Sequence, residues 1–171
     1  SSTRKNSART EHVMQPLSQD FHKPADSIAA LLKPDRTLCR VPGGSRKRLF
    51  ELVADVLGSD RDDFHCEQLI AGMLAREKLG STALGGGIAI PHCRLSDCEE
   101  PCGVLLTLSS PADFDAPDHE DVDLVFALVV PAEATQDHLN LLAELARLFS
   151  QRAFCDALRE CRDNASLYET A

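Results

Sequence analysis

The longest apolar run of the chain, Leu124 to Ala132, contains Pro131 and falls well short of the ~20 residues that a membrane-spanning helix needs. A run of this length closed by proline suits a strand buried in a sheet, read here as Val122–Val130. A second strand, Gly103–Ser109, precedes it across a polar link bearing Asp and Pro, and Thr37–Val41 alternates as an earlier one. Helical stripes fill the intervals. Leu49, Leu52, Val53, Val56 and Leu57 share one face of a helix over 45–57, which Gly58 ends. Asp63 is the expected cap of a helix running to about Lys78 with Leu69, Ile70, Met73 and Leu74 inward, closed by Gly80.

Thr135 caps a long amphipathic helix through Phe149, with Leu139, Leu142, Leu145 and Leu148 or Phe149 expected to face inward. Ser150 opens a further helix to about Cys161, Ser166 a short terminal one, and Ser27–Leu32 a short helix near the start. The order is helix, strand, two helices, three strands, then helices. It predicts an α+β fold with a mixed sheet covered on both faces. Residues 1–25 are polar and are expected to form a flexible tail, leaving one domain over 26–171.

Charge and cysteine content narrow the function. A net charge of −9 argues against binding a nucleic-acid backbone, which needs a basic face. Seven cysteines, odd in number and without C-x-x-C, fit a reducing compartment better than a disulfide framework. With neither a signal peptide nor a spanning segment read in the sequence, the expectation is a cytoplasmic protein.

The chemistry concentrates between Gly85 and Arg94, in Gly-Gly-Gly-Ile-Ala-Ile-Pro-His-Cys-Arg. Three glycines allow positive φ and close approach of a ligand to the backbone. Ile88-Ala89-Ile90 reads as a short strand that Pro91 stops, so His92 is the first side chain beyond it. Neutral imidazole is a nucleophile at near-neutral pH, and an arginine such as Arg94 can hold a phosphoryl group through paired N–H donors. The residues alone therefore point to a nucleophilic or anion-handling histidine.

Competing chemistries are weaker. Gly80 to Gly85 has the glycine spacing of a nucleotide-binding loop, but Gly86-Gly87 stands where lysine and a hydroxyl are required. Cys93, Cys98 and Cys102 with His92 offer four soft ligands in a spacing that matches no established zinc pattern. Cys93 and His92 are neighbours on one strand end and point apart, which disfavours a Cys–His pair. His12, His22, His65 and His119 read as solvated; His138 lies in the first turn of the long helix.

Arg76-Glu77-Lys78-Leu79-Gly80-Ser81-Thr82, Gly87-Ile88-Ala89-Ile90-Pro91-His92, Val122-Asp123-Leu124-Val125-Phe126-Ala127-Leu128 and Asp137-His138-Leu139, in that order, resemble the IIA component of the bacterial phosphoenolpyruvate phosphotransferase system. The class is fructose/mannitol, and the nearest branch is the nitrogen-regulatory one. The resemblance implies a three-layer α/β/α sandwich with a mixed central β-sheet. It implies that His92 accepts and donates a phosphoryl group, with Arg76 neutralising its oxygens and His138 hydrogen-bonding them. Ser81, Thr82, Gly86, Gly87 and Arg94 are then expected as walls of the phosphate site.

The implied partners are a small histidine phosphocarrier protein as donor, itself charged by an enzyme I, and regulatory target proteins. No cofactor or metal is implied, and no nucleic acid or membrane insertion. A sugar-specific IIA that passes phosphate to a IIB domain, and a binding module of the same fold that uses no phosphohistidine, stay open. Cys93 stands where the family often has glycine, which would make the rim bulkier.

Overall fold

The computed structural model describes residues 30–58, 66–96, 98, 100–133 and 135–171; the expected tail over 1–25, the cap at Asp63 and the first half of the expected first helix lie outside them. Six strands form one sheet: β1 (Thr37–Val41), β2 (Ala83–Gly85), β3 (Ile88–Ala89), β4 (His92–Leu95), β5 (Cys102–Ala112) and β6 (Val122–Pro131). The helices are α1 (Arg46–Gly58), α2 (Cys66–Leu79), α3 (Thr135–Phe149), α4 (Arg152–Glu160) and α5 (Asn164–Thr170). The strand order is β1-β5-β6-β3-β2, with β4 also pairing with β6. β1 runs parallel to β5, β5 antiparallel to β6, and β3 and β4 both parallel to β6. The expected mixed sheet covered on two faces is what the chain forms.

β6 explains the architecture. Its side chains alternate between two cores, Val125, Ala127 and Val129 toward α1 and α2, and Leu124, Phe126, Leu128 and Val130 toward α3, α4 and α5. Because both faces are covered, the strand reads as an unbroken apolar run instead of an alternating one. Burying each such side chain contributes about 1.5–3 kcal/mol, so the central strand is the chief source of cohesion.

Four expectations change. The strand does stop at Pro91, which lacks the N–H to continue the ladder, but the chain resumes at once as a strand not expected, β4, with His92 as its first residue. Both β3 and β4 borrow the same neighbour, Leu124 and Val125 for β3 and Leu128 to Pro131 for β4. In α3, Leu139 faces solvent at 56% exposure while His138 takes the inward place, in step with Leu142, Leu145 and Phe149. The terminal helix is capped by Asp163, whose side chain accepts from the Ser166 amide, and Ser150 donates its hydroxyl to the Arg147 carbonyl while α4 starts at Arg152.

Candidate functional site

His92 is positioned by the interruption at Pro91. Strand alternation puts His92 and Arg94 on one face of β4 and Cys93 and Leu95 on the other. Cys93 and Leu95 belong to the core under α1 and α2. Gly72 of α2 is what makes room: a Cβ there would lie 3.3 Å from that of Cys93. Cys93 therefore turns into the core and does not thicken the rim as expected, and burial pushes its thiol up to about 12, far from thiolate chemistry.

The His92 ring is held at both nitrogens. Nδ1 lies 2.8 Å from the Ile90 carbonyl oxygen, which can only accept, so Nδ1 carries the proton. Nε2 accepts from Arg76 Nε at 3.2 Å and so holds its lone pair outward. Burial lowers the pKa of His92 below its ordinary value; the Ile90 hydrogen bond opposes this, and the Arg76 charge adds to it. The net result is a neutral imidazole of defined tautomer with its basic nitrogen against a guanidinium.

Arg76 stands in the last turn of α2, where its Nη1 also donates to the Gly80 carbonyl at 2.9 Å. The adjacent Glu77 is the anchor. This buried carboxylate pairs with Arg46 at 3.1 Å, takes the Thr82 hydroxyl on its other oxygen and the Thr82 amide at 3.4 Å. These bonds tie α1, the end of α2 and the start of β2 together, which holds Arg76 across from β4. Glu77 has no signal in the sequence beyond its place beside Arg76, because its partners are 31 residues before and 5 after it.

His138 arrives from α3, its ring centroid 5.3 Å from that of His92 at 75°. It is 6% exposed, and desolvation by that burial lowers its pKa, as do the neighbouring His92, Arg94 and Arg76. Arg94 Nε donates to His138 Nδ1 at 3.3 Å. Arg94 thus joins the site through His138, and it stands on the same face of β4 as His92.

The remaining expected wall residues divide. Ser81 and Thr82 line a cleft of about 190 Å³ together with Arg76, His92, Leu84 and Leu142. Their hydroxyl protons, however, are committed inward, Ser81 to the Phe114 carbonyl at 2.5 Å and Thr82 to Glu77. Gly86 and Gly87 are not brought to His92. The Asp123 and Leu124 amides donate to the Gly87 carbonyl, whereas His92 pairs with Leu128, about 13 Å further along β6 at the rise of a strand.

The glycine turn instead meets Arg159, whose Nη2 donates to the Gly86 carbonyl at 2.6 Å and lies 3.0 Å from Asp123. The turn borders a separate cavity of about 570 Å³ with Phe149, Arg152 and Cys155. Among the described residues no group of three or more His, Cys, Asp or Glu side chains is placed to hold a metal, and none of the seven cysteines is in a disulfide. No described helix is long and apolar enough to cross a membrane.

Comparison with known proteins bears on the family and the fold. Residues 30–170 match the family model described as "Phosphoenolpyruvate-dependent sugar phosphotransferase system, EIIA 2". The chain is 45% identical over 142 residues to a nitrogen regulatory protein of Pseudomonas aeruginosa, covering 83% of this chain and 92% of that one. The crystal structure of nitrogen regulatory protein IIA-Ntr from Neisseria meningitidis superposes with a TM-score of 0.77 at 35% identity, over 84% of this chain and 97% of that one. The mannitol enzyme IIA of Escherichia coli, in its complex with phosphorylated enzyme IIB, shares the fold at a TM-score of 0.64 and 15% identity, over 81% and 95% of the two chains.

Proposed function

This chain belongs to the EIIA 2 family of the phosphoenolpyruvate-dependent sugar phosphotransferase system, and within that family we propose that it is a regulatory phosphocarrier charged on His92 Nε2. The observation that carries the reading is the pair of bonds on the His92 ring. Ile90 holds the proton on Nδ1, and Arg76 faces the lone pair of Nε2. Phosphoryl transfer then breaks the N–P bond of a donor phosphohistidine and forms an Nε2–P bond, the electron pair returning to the donor ring. No proton has to leave Nε2, so the protein needs only positioning and charge stabilisation. Arg76 moves from the lone pair to the phosphoryl oxygens, and His138 supplies a further donor.

The donor is read as a small histidine phosphocarrier protein. The large apolar side chains left exposed among the described residues support a protein partner at this rim. They are Leu79 at 84%, Leu84 at 46% and Leu139 at 56%. Leu79 follows Arg76 by three residues, Leu84 lines the His92 cleft and Leu139 adjoins His138. Such side chains at the edge of a polar site are the usual contact of a transient protein complex.

Regulation follows from charge. A phosphoryl group adds about −2 at this rim, so target proteins bind the two forms with different affinity. The 45% identity to a nitrogen regulatory protein favours this over passage of phosphate to a IIB domain. Incubation with phosphoenolpyruvate, enzyme I and the small carrier tests it. The expected result is one acid-labile phosphoryl group per chain, absent in His92→Ala. Absence of uptake by the wild-type chain from nitrogen-type and sugar-type carriers alike leaves the binding-module reading in its place.

A further inference from the structure

His138 Nε2 is a buried ring nitrogen without a hydrogen-bond partner among the described residues. Leaving such a group unpaired is costly, so its presence beside His92 calls for a reason. Its protonation follows from the other nitrogen. The Arg94 guanidinium has only donors, so the bond from Arg94 Nε at 3.3 Å requires a lone pair on Nδ1. A neutral His138 with Nδ1 accepting must carry its proton on Nε2. The ring is neutral because burial and three cationic or ionisable neighbours, His92, Arg94 and Arg76, oppose its charging. The two histidines are thereby set in opposite tautomers, His92 with the proton on Nδ1 and His138 with it on Nε2.

We propose that Arg94 is a positioning residue that fixes the tautomer of His138, so that Nε2 stands beside the His92 ring as an N–H donor with no acceptor until a phosphoryl oxygen arrives. The kinetic part of this rests on the phosphohistidine reading; the tautomer part does not. The donor is pre-set in the resting protein and needs no rearrangement of protons during transfer. Placing Arg94 on the same strand face as His92, two residues on, couples nucleophile and lock through one rigid element.

Glutamine is the discriminating substitution. Its side-chain amide nitrogen sits as many bonds from the backbone as arginine Nε, and it donates without charge. Methionine keeps the stem and donates nothing. Long-range proton–nitrogen spectra of the histidine rings report the tautomers directly. The wild-type chain is expected to show His138 protonated on Nε2 alone, and Arg94→Gln to keep that pattern. In Arg94→Met both ring-nitrogen shifts move toward a mixture of tautomers, and phosphoryl uptake slows about tenfold, one hydrogen bond to a charged group; Arg94→Gln stays within a few-fold of wild type. A wild-type His138 protonated on Nδ1 overturns the proposal without any variant. So does an unchanged tautomer in Arg94→Met, or a glutamine variant as slow as the methionine one, since charge alone would then be at work. If the wild-type chain takes up no phosphoryl group, the phosphohistidine reading falls while the ring spectra still decide the role of Arg94.

Discussion

The two ends of the stretch from Gly85 to Arg94 treat polar groups in opposite ways. At the glycine end backbone donors and acceptors are drawn into internal bonds. The Gly86 amide donates to Asp118, its carbonyl accepts from Arg159, and the Gly87 carbonyl accepts two amides of β6. Gly85, Gly86 and Gly87 take φ of 95°, 67° and 82°, so the glycines serve the turn itself. At the histidine end a buried ring nitrogen has no partner among the described residues, and a guanidinium faces the lone pair of a second ring. A glycine-rich loop is therefore a poor guide to a site by itself. Unsatisfied or exchangeable hydrogen bonds are the better one.

The contrast can be broken at either end. Replacing His92 by alanine is expected to abolish phosphoryl uptake while leaving the circular-dichroism melting curve close to that of wild type; residual acid-labile phosphate would move the nucleophile elsewhere. Arg76→Ala comes next. Removing one pre-set donor from a developing charge slows such steps by about 10²–10³-fold, measured as single-turnover transfer from the phosphorylated carrier, and unchanged kinetics would remove Arg76 from the mechanism.

At the other end Gly87→Ala places a Cβ 2.8 Å from Asp123 Oδ1 and 3.0 Å from Arg159 Nη2 at a φ of 82°. A loss of about 2 kcal/mol in denaturant unfolding is expected, with transfer by the folded variant within a few-fold of wild type. A hundredfold slowing there would show that the turn does reach His92. Arg159→Ala is milder, about 1 kcal/mol, because the Asp123 pair is partly exposed.

The smallest effect is on pH. Both His92 and His138 have folded values below their ordinary 6.5. Above pH 6.5 the rings are neutral in folded and unfolded chains alike, and they add no pH dependence. As pH falls below 6.5 the unfolded chain takes up protons that the folded one refuses, so stability declines toward the folded values. Urea unfolding from pH 8 to pH 5 should show this decline, and it should be shallower in His92→Gln. The acid limb of the transfer rate should likewise lie below pH 6.5, because the attacking ring stays neutral further down.

Much of this was readable from the chain. The strand Thr37–Val41 and the helix from Thr135 to Phe149 follow from local period and the strand Val122–Val130 from its apolar run, and the structure has them at nearly those bounds. His92 stands out by its place after the proline, Arg76 and His138 through the resemblance, and the three do converge. The short strands β2 and β4 escaped, because three or four residues carry too little period to detect. Leu139 was assigned inward because apolarity alone ranks it above His138; burial of the histidine reversed the face.

Amino-acid order was enough to settle the longer helices and strands and which histidine follows the proline break, since those depend on side chains a few residues apart. Folding in three dimensions decided the rest. Arg94 and His138 are 44 residues apart, and Arg76 and His92 are 16. Only the docking of α2 and α3 against β4 brings them within hydrogen-bond reach, and only those bonds choose which ring nitrogen keeps its proton. A local pattern specifies an element, but a tautomer is specified by whatever the finished fold places against the ring.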